Sequence, residues 1–126
     1  AGLNPLPVQR PIPLWFGGHA DPVLHRIAKL GDGWLPNYRS AEDAAQALAK
    51  LGAYLEQQGR SLNEIGIEPR LRYEKGDPTV WRDLAEGWAS AGASHLTVIT
   101  MGAGFTTPQE HIQAITRYAE ALKNIN

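Results

Sequence analysis

The 126-residue sequence contains no cysteine. Its absence excludes a disulfide framework, a thiolate nucleophile and a cysteine-ligated metal, and it leaves the redox compartment open. Neither sign of charge dominates, because 12 lysines and arginines stand against 13 aspartates and glutamates, for a formal net charge of −1. We therefore expect no nucleic-acid partner and no contact with a membrane surface.

Long apolar runs and a secretory leader pattern are also lacking. The apolar stretches are far shorter than the roughly 20 residues that a transmembrane helix needs, so we predict a soluble, cytoplasmic protein. The chain starts at Ala1 without a methionine, and its proline-rich first ten residues are typical of the middle of a longer chain. We expect residues 1–126 to be a single domain, a fragment of a longer polypeptide.

Apolar residues recur at helical spacing in four stretches, and each stretch opens with its own start signal. The start signals are Asp21-Pro22, Ser40 with Asp43, Asp77-Pro78, and Thr107-Pro108 with Glu110. The apolar stripes that predict the buried faces are Val23, Ile27 and Leu30; Ala44, Leu48, Leu51 and Leu55; Val80, Leu84 and Trp88; and Ile112, Ile115, Ala119 and Leu122. Glycines predict the ends of the first three helices: Gly31, Gly59 and Gly92.

Strands are predicted between the helices, at residues 14–17, 33–36, 65–73 and 95–100. This βα alternation implies right-handed crossovers and a parallel sheet, which either stays open and doubly wound or closes into a barrel. Glu68, Arg70 and Arg72 alternate with aliphatic residues along the third strand, which favours a barrel with a polar lumen. Since a (β/α)8 barrel takes about 250 residues, we predict an α/β fold of four βα units that forms half of a TIM-type barrel.

The strongest candidate for a ligand site is the stretch of residues 11–22. An apolar run leads into Gly17-Gly18-His19, and Asp21-Pro22 then opens a helix, with Asp21 predicted as the N-cap and Pro22 as the first helical residue. Glycines let the backbone approach a ligand, and N–H groups at a helix start attract anions. The stretch predicts a phosphate-binding loop; the alternative is a turn that needs glycine for backbone reasons only.

Two further features admit two interpretations each. Arg72 could reach a cofactor phosphate or carboxylate through its forked guanidinium, or it could be balanced internally by Glu68 or Glu74. The glycine-rich residues 101–104 follow the last predicted strand, where they form either a ligand-binding loop or an ordinary connection.

Metal binding is not expected. His19, Asp21 and His25 have side chains that can bind metals, but Asp21 is explained as an N-cap and His25 lies in a helix. Among the tryptophans, Trp34 is the one expected to border a cofactor. The others are expected in the core: Trp15, Trp81 and Trp88.

Three blocks of the sequence resemble the luciferase-like monooxygenases. The blocks are Arg10-Pro11-Ile12-Pro13-Leu14-Trp15-Phe16-Gly17-Gly18; Leu30-Gly31-Asp32-Gly33-Trp34-Leu35-Pro36-Asn37; and Gly59-Arg60-Ser61 leading to Ile65-Gly66-Ile67. The resemblance covers nearly the whole chain and is closest to the flavin- or deazaflavin-dependent oxidoreductases of the family. It implies the C-terminal half of a (β/α)8 barrel that binds FMN or coenzyme F420 at the C-terminal mouth.

The resemblance also implies roles for particular residues. The phosphate-binding loop of the family falls on Gly17, Gly18 and His19, with backbone amides as donors, and Pro36-Asn37 lies beside the cofactor phosphate. Some deazaflavin enzymes carry a hydroxyl residue at that strand end, which Pro36-Asn37 does not supply, so FMN and coenzyme F420 both stay open. Substrate-facing and hydride-transfer residues lie mostly in the family's N-terminal half, so the catalytic residues are not identified.

Two functions from different classes follow. The first is the cofactor-binding half of an oxidoreductase or monooxygenase, which transfers hydride to or from a small organic substrate; the fragment alone is expected to be inactive. The second is a non-catalytic half-barrel that associates with itself, because open sheet edges are templates for pairing and two copies could close as a homodimer. The expected partners are a small-molecule substrate and either the missing N-terminal half or a second copy.

Overall fold

The computed structural model describes residue 2 and residues 4–125, and it contains the four predicted βα units. The helices are Asp21–Leu30 (α1), Ala41–Gln57 (α2), Pro78–Ser90 (α3) and Pro108–Ala121 (α4). The strands are Trp15–Gly17 (β1), Gly33–Leu35 (β2), Gly66–Ile67 (β3), Arg70–Arg72 (β4) and Thr97–Ile99 (β5).

The strands pair in parallel, as predicted. β1 pairs with β2 and β2 with β3, while β4 pairs with β5. The single strand predicted at residues 65–73 is therefore divided in two, at Glu68 and Pro69. The carbonyl of Ile67 accepts the N–H of His95 at 3.2 Å, and that of Pro69 accepts the N–H of Thr97 at 3.0 Å. The third strand thus meets β2 with its first half and β5 with its second.

Each helix contacts the next along the chain, α1 with α2, α2 with α3 and α3 with α4. The core lies between these helices and the strands, where Trp34, Ile67 and Leu71 are buried. The alternation predicted for the third strand is confirmed, because Arg70 and Arg72 on either side of Leu71 are exposed. No helix in the described part of the chain combines the length and apolar character needed to cross a membrane.

Three of the four predicted helix starts are confirmed. Ser40, Asp77 and Thr107 each accept a backbone N–H of the first turn with the side chain. At α4, the N–H groups of Thr106 and Thr107 bond to the Glu110 carboxylate and hold its pKa below the usual value. The ionised carboxylate therefore stabilises the helix at neutral pH, and this contribution is lost as the pH falls through the lowered pKa.

The end of α1 differs from the prediction. Gly31 has a φ of −83°, so it is not a left-handed cap residue. Glycine is still needed there, because a Cβ would lie 2.9 Å from the carbonyl oxygen of Ile27. The Arg60 guanidinium closes the helix by donating to the carbonyls of Ala28 at 2.9 Å and Gly31 at 2.7 Å. A cation at this position also interacts favourably with the helix dipole.

The buried face predicted for α2 is confirmed, whereas the faces of the other helices are rotated. The buried residues are Leu24, Ile27 and Ala28 in α1; Trp81, Ala85 and Trp88 in α3; and Ala114 and Tyr118 in α4. Val80 and Leu84 are half-buried. Leu30, Ile112 and Ile115 are 55%, 61% and 48% exposed. Much of the stripe predicted for α4 therefore lies outside the core, whereas in α1 Ile27 is buried and Leu30 is exposed.

Trp15 lies across the face of the strands that is opposite the helices, where two glycines make room for it. A Cβ on Gly33 or Gly66 would lie 2.2 Å from the nearest atom of the Trp15 ring. The ring also meets His95 edge-on, with 5.4 Å between centroids. Trp15 is half-buried, not a core residue as predicted, whereas the predicted core positions of Trp81 and Trp88 are confirmed.

Replacing Gly33 should destabilise the fold, because the new methyl group would overlap the Trp15 ring. We expect Gly33→Ala to lower the free energy of unfolding by about 1–3 kcal/mol in urea denaturation. Gly87→Ala is the matched control, since Gly87 lies in α3 with no atom within 4 Å of a Cβ. Alanine there should be neutral or stabilise by up to about 1 kcal/mol. Equal stabilities of the two variants would contradict the position of Trp15.

Candidate functional site

The predicted glycine loop joins β1 to α1. Gly18 has a φ of +102°, a conformation that strains residues with a side chain. Its carbonyl accepts the indole N–H of Trp34 at 2.7 Å. Trp34 is fully buried, so it supports the loop from within the core. The prediction that Trp34 borders a cofactor is therefore wrong. The loop is therefore tied directly to the core.

Asp21 is not the N-cap of α1, contrary to the prediction. Ala20 holds that position, and its carbonyl accepts the N–H of Val23 at 2.9 Å. Asp21 is the first helical residue, and its carboxylate accepts hydrogen bonds from Lys50 at 3.2 Å and Tyr54 at 3.4 Å. Because the carboxylate turns to α2, the start of α1 has no side-chain cap.

The start of α1 presents backbone donors to its surroundings. In the part of the chain that the structure describes, the N–H groups of Ala20 and Asp21 have no backbone or side-chain acceptor, and Pro22 has no N–H. Free N–H groups at a helix start attract an anion directly and through the helix dipole. The Asp21 carboxylate opposes an anion, but the Lys50 ammonium beside it offsets that charge.

His19 lies on the side of the loop that faces α2. Its ring is tilted against Tyr38, with 5.5 Å between centroids. Both side chains line an open cavity of about 250 Å³, together with Asp43, Gln46 and Lys50. The imidazole thus meets a surface of mixed charge between the loop and α2.

Asn37 and Arg72 line a different cavity, of about 260 Å³. Its other lining residues are Tyr38, Arg39, Arg70, Glu74 and Leu84. Pro36 is buried. Tyr38 lines both cavities, so it stands between His19 on one side and Asn37 with Arg72 on the other. The structure brings Asn37 and Arg72 together but does not bring them to His19.

The internal partners considered for Arg72 are both engaged elsewhere. Glu74 accepts a hydrogen bond from Arg39 at 3.1 Å, and Glu68 accepts one from the hydroxyl of Thr97. Within the described residues, Arg72 has no carboxylate within the 4.0 Å of an ion pair. Its guanidinium can therefore bind a ligand.

His19, Asp21 and His25 do not converge. The His25 ring is stacked on Tyr54, with 3.7 Å between centroids, and Asp21 is bonded to Lys50. Across residues 4–125 the structure contains no group of three or more histidine, aspartate or glutamate side chains that could hold a metal ion.

The loop after β5 reaches the same end of the strands. Met101, Gly102 and Ala103 line a cavity of about 280 Å³ with Arg72 and Glu74. This cavity adjoins the one with Asn37, because Arg72 and Glu74 line both. The second loop predicted at the ends of the strands therefore lies next to Arg72.

Tyr38, Arg39 and Arg70 line the candidate site, and the sequence analysis did not single them out for it. Tyr38 and Arg39 follow β2 directly, and Arg70 precedes Arg72 by one alternation of β4. Their positions at the carboxyl ends of strands could have identified them, since ligands of parallel α/β proteins bind at those ends.

Residues 1–123 match the family described as luciferase-like monooxygenase. The match spans nearly the whole sequence, so the chain belongs to this family, and the resemblance of the three sequence blocks is confirmed. A search of curated proteins gave no significant match.

The fold is similar to that of the coenzyme F420-dependent tetrahydromethanopterin reductase from Methanopyrus kandleri, with a TM-score of 0.69 and 14% sequence identity. The similarity covers 91% of this chain and 51% of the reductase chain. The chain thus spans about half the length of that enzyme. At this identity, the comparison shows a shared fold.

Replacing Trp34 by phenylalanine removes the N–H that holds Gly18, along with part of a buried ring. Trp88→Phe is the matched control, because Trp88 is equally buried but its Nε1 has no hydrogen-bond partner among the described residues. Trp34→Phe should cost about 1 kcal/mol more in the free energy of unfolding. It should also speed amide hydrogen exchange at His19 and Ala20. A larger loss in Trp88→Phe would contradict the anchoring role of Trp34.

Proposed function

We propose that this chain is the cofactor phosphate-binding half of a flavin- or deazaflavin-dependent oxidoreductase or monooxygenase. Membership of the luciferase-like monooxygenase family supports this function, as does the fold shared with a coenzyme F420-dependent reductase. When bound, a reduced FMN or coenzyme F420 supplies a hydride to a small organic substrate or, in the reverse direction, its oxidised form accepts one. The work of this chain is to bind and orient that cofactor.

The observation that carries the proposal is the pair of N–H groups at the start of α1 that have no acceptor among the described residues. The amides of Ala20 and Asp21 come two and three residues after Gly18, whose positive φ turns the chain from β1 into the helix. Two donors and the positive end of a helix dipole suit a phosphate group. The residues present therefore fit the phosphate of either cofactor.

We assign the loop of Gly17, Gly18 and His19 to the phosphate, with backbone N–H groups as the donors. Pro36, Asn37 and Arg72 extend the proposed site beyond Tyr38, at the ends of β2 and β4. The catalytic acid and base are not assigned to this chain.

Gly18→Ala should weaken cofactor binding, because alanine disfavours a φ of +102° and the loop would shift. We expect the Kd for FMN or coenzyme F420 to rise about tenfold or more in a fluorescence titration of the full-length protein. Gly92→Ala is the matched control: Gly92 has a φ of +98°, has space for a Cβ and lies at the end of α3.

Both glycine variants should lose similar stability, and the Gly92→Ala protein should bind the cofactor normally. Full-length protein that binds neither FMN nor coenzyme F420 would refute the proposed function. Equal cofactor affinities of the two variants would refute the role of the loop.

We also propose that the four βα units are the C-terminal half of a (β/α)8 barrel. A doubly wound sheet carries helices on both faces, whereas here successive helices pack side by side. In a barrel the strand face that carries Glu68, Arg70 and Arg72 would line the lumen. This closure requires further βα units at both edges of the present sheet.

The two end helices have apolar side chains on the side away from their neighbour. In α1, His25 stacks on a tyrosine of α2, and exposed Leu30 lies about 140° around the helix from it. In α4, the Arg117 guanidinium lies 6.0 Å from the centroid of Trp81 in α3. Exposed Ile115 lies about 160° from Arg117. Leu30 of α1 and the stripe of α4 therefore face the positions of adjoining units.

We propose that the remaining βα units of the same polypeptide cover Leu30 and the stripe of α4. This chain spans 51% of the reductase chain. The other half of the reductase has the length of the βα units proposed here. The same exposed edges favour a second candidate, a non-catalytic protein in which two copies of the chain form a homodimer.

A charge in the stripe of α4 tests the closure. Ile115→Asp should lower the free energy of unfolding of the full-length protein by roughly 3 kcal/mol or more, because the carboxylate would be buried without a partner. Gln113→Asp, at an exposed position about 160° around α4 from Ile115, should change it by no more than about 0.5 kcal/mol.

Equal effects of the two substitutions would show that the stripe is uncovered. Sedimentation equilibrium decides what covers it: a particle of one polypeptide mass supports closure within one chain. A particle of twice the polypeptide mass, in which Ile115→Asp releases monomers, supports the homodimer.

A further inference from the structure

A cleft opens between the ends of β2 and β4, and a proline explains its position. In the ladder of β2 and β3, the N–H of Gly66 donates to the Asp32 carbonyl and that of Glu68 to the Trp34 carbonyl. In such a parallel ladder, every second residue of a strand bonds to the neighbouring strand. After Trp34, the next residue that would donate to the third strand is Pro36, which has no N–H. The ladder ends there, and beyond it β4 pairs with β5.

The cleft is the cavity of about 260 Å³ that Asn37 and Arg72 line. Three arginines, Arg39, Arg70 and Arg72, and one acidic residue, Glu74, are among its lining residues. The backbone of Glu74 has a φ of +53°, in the left-handed region that is costly for a residue with a side chain. Strain of this kind concentrates at binding sites.

The positive charge of the cleft is not balanced within the described residues. Arg39 engages Glu74 at 3.1 Å. Glu68, on the same face of the third strand, is not among the residues that line the cleft and accepts a hydrogen bond from a threonine hydroxyl. Arg70 and Arg72 have no carboxylate within 4.0 Å. Two guanidinium groups are therefore left to pair with a ligand.

The rim of the cleft adds no net charge. Lys75 and Asp77 line the adjoining cavity with Arg39 and Glu74, and their charges offset each other. The excess of positive charge therefore belongs to Arg70 and Arg72, which line the cleft one alternation apart on β4.

We propose that this cleft is a second anion subsite, which binds a group with two or more negative charges, such as a diphosphate or paired carboxylates. It is separate from the glycine loop, because Tyr38 stands between the cleft and His19. Planar guanidinium groups bind such anions through two parallel hydrogen bonds. The residues of the cleft are the argument for an anion subsite. The proposed function enters only in the source of the anion, which is either the substrate or a part of the cofactor remote from the loop.

Calorimetric titration of the full-length protein with inorganic pyrophosphate tests the subsite. We expect Arg70→Gln and Arg72→Gln each to weaken pyrophosphate binding about tenfold or more, with Arg72→Lys intermediate because it keeps the charge but loses the fork. Arg82→Gln is the matched control, since Arg82 is exposed on α3 and does not line the cleft. Thermal melts of all variants establish that they are folded.

Repeating the titration on cofactor-saturated protein identifies the source of the anion. Undiminished pyrophosphate binding assigns the subsite to the substrate, and competition assigns it to the cofactor. Absence of pyrophosphate binding, or an equal loss in Arg82→Gln, would overturn the subsite. Cofactor affinity and the Gly18→Ala variant report on the glycine loop, so failure of the subsite is distinguishable from failure of the proposed function.

Discussion

The hydrogen bond from the Trp34 indole to the Gly18 carbonyl is the constraint on which the candidate site depends. Trp34 is fully buried, and its own backbone carbonyl accepts the N–H of Glu68 in the ladder with β3. One residue thus joins the sheet, the core and the glycine loop. Because Gly18 is held at a positive φ, the N–H groups of Ala20 and Asp21 emerge at the start of α1 without a side-chain cap. The loop is therefore positioned by packing within the protein.

Glycine and proline residues shape the face of the strands that is turned away from the helices. Gly33 and Gly66 leave room for the Trp15 ring, which covers the strands where their side chains are missing. Pro36, two residues after Trp34, ends the hydrogen-bond ladder between β2 and the third strand, so β2 and β4 separate. Arginine side chains of β4 occupy the resulting space with little compensating charge. The candidate site therefore has two regions suited to anions, one of backbone N–H groups and one of guanidinium groups, with Tyr38 between them.

The order of elements and three helix caps were predictable from the sequence, because caps and turns depend on hydrogen bonds between residues close in the chain. Asp21 was wrongly predicted as a cap because its carboxylate pairs with Lys50, a contact across helices that local pattern does not reveal. The apolar periodicity of Ile112 and Ile115 is present in the sequence, but periodicity alone does not identify the part of the protein that covers these side chains. Gly17 to His19 was recognisable from glycine at a helix start, whereas Tyr38 lies in a loop without periodicity.

Phosphate binding by the amides of Ala20 and Asp21 is tested most directly by NMR. The full-length protein, labelled with ¹⁵N, is titrated with FMN and with coenzyme F420 while the amide signals are followed. We predict that the signals of residues 18–21 shift most and saturate together with the change in the cofactor's absorption. Cofactor binding that leaves these amide signals unmoved and shifts others would contradict the phosphate-binding role of the loop.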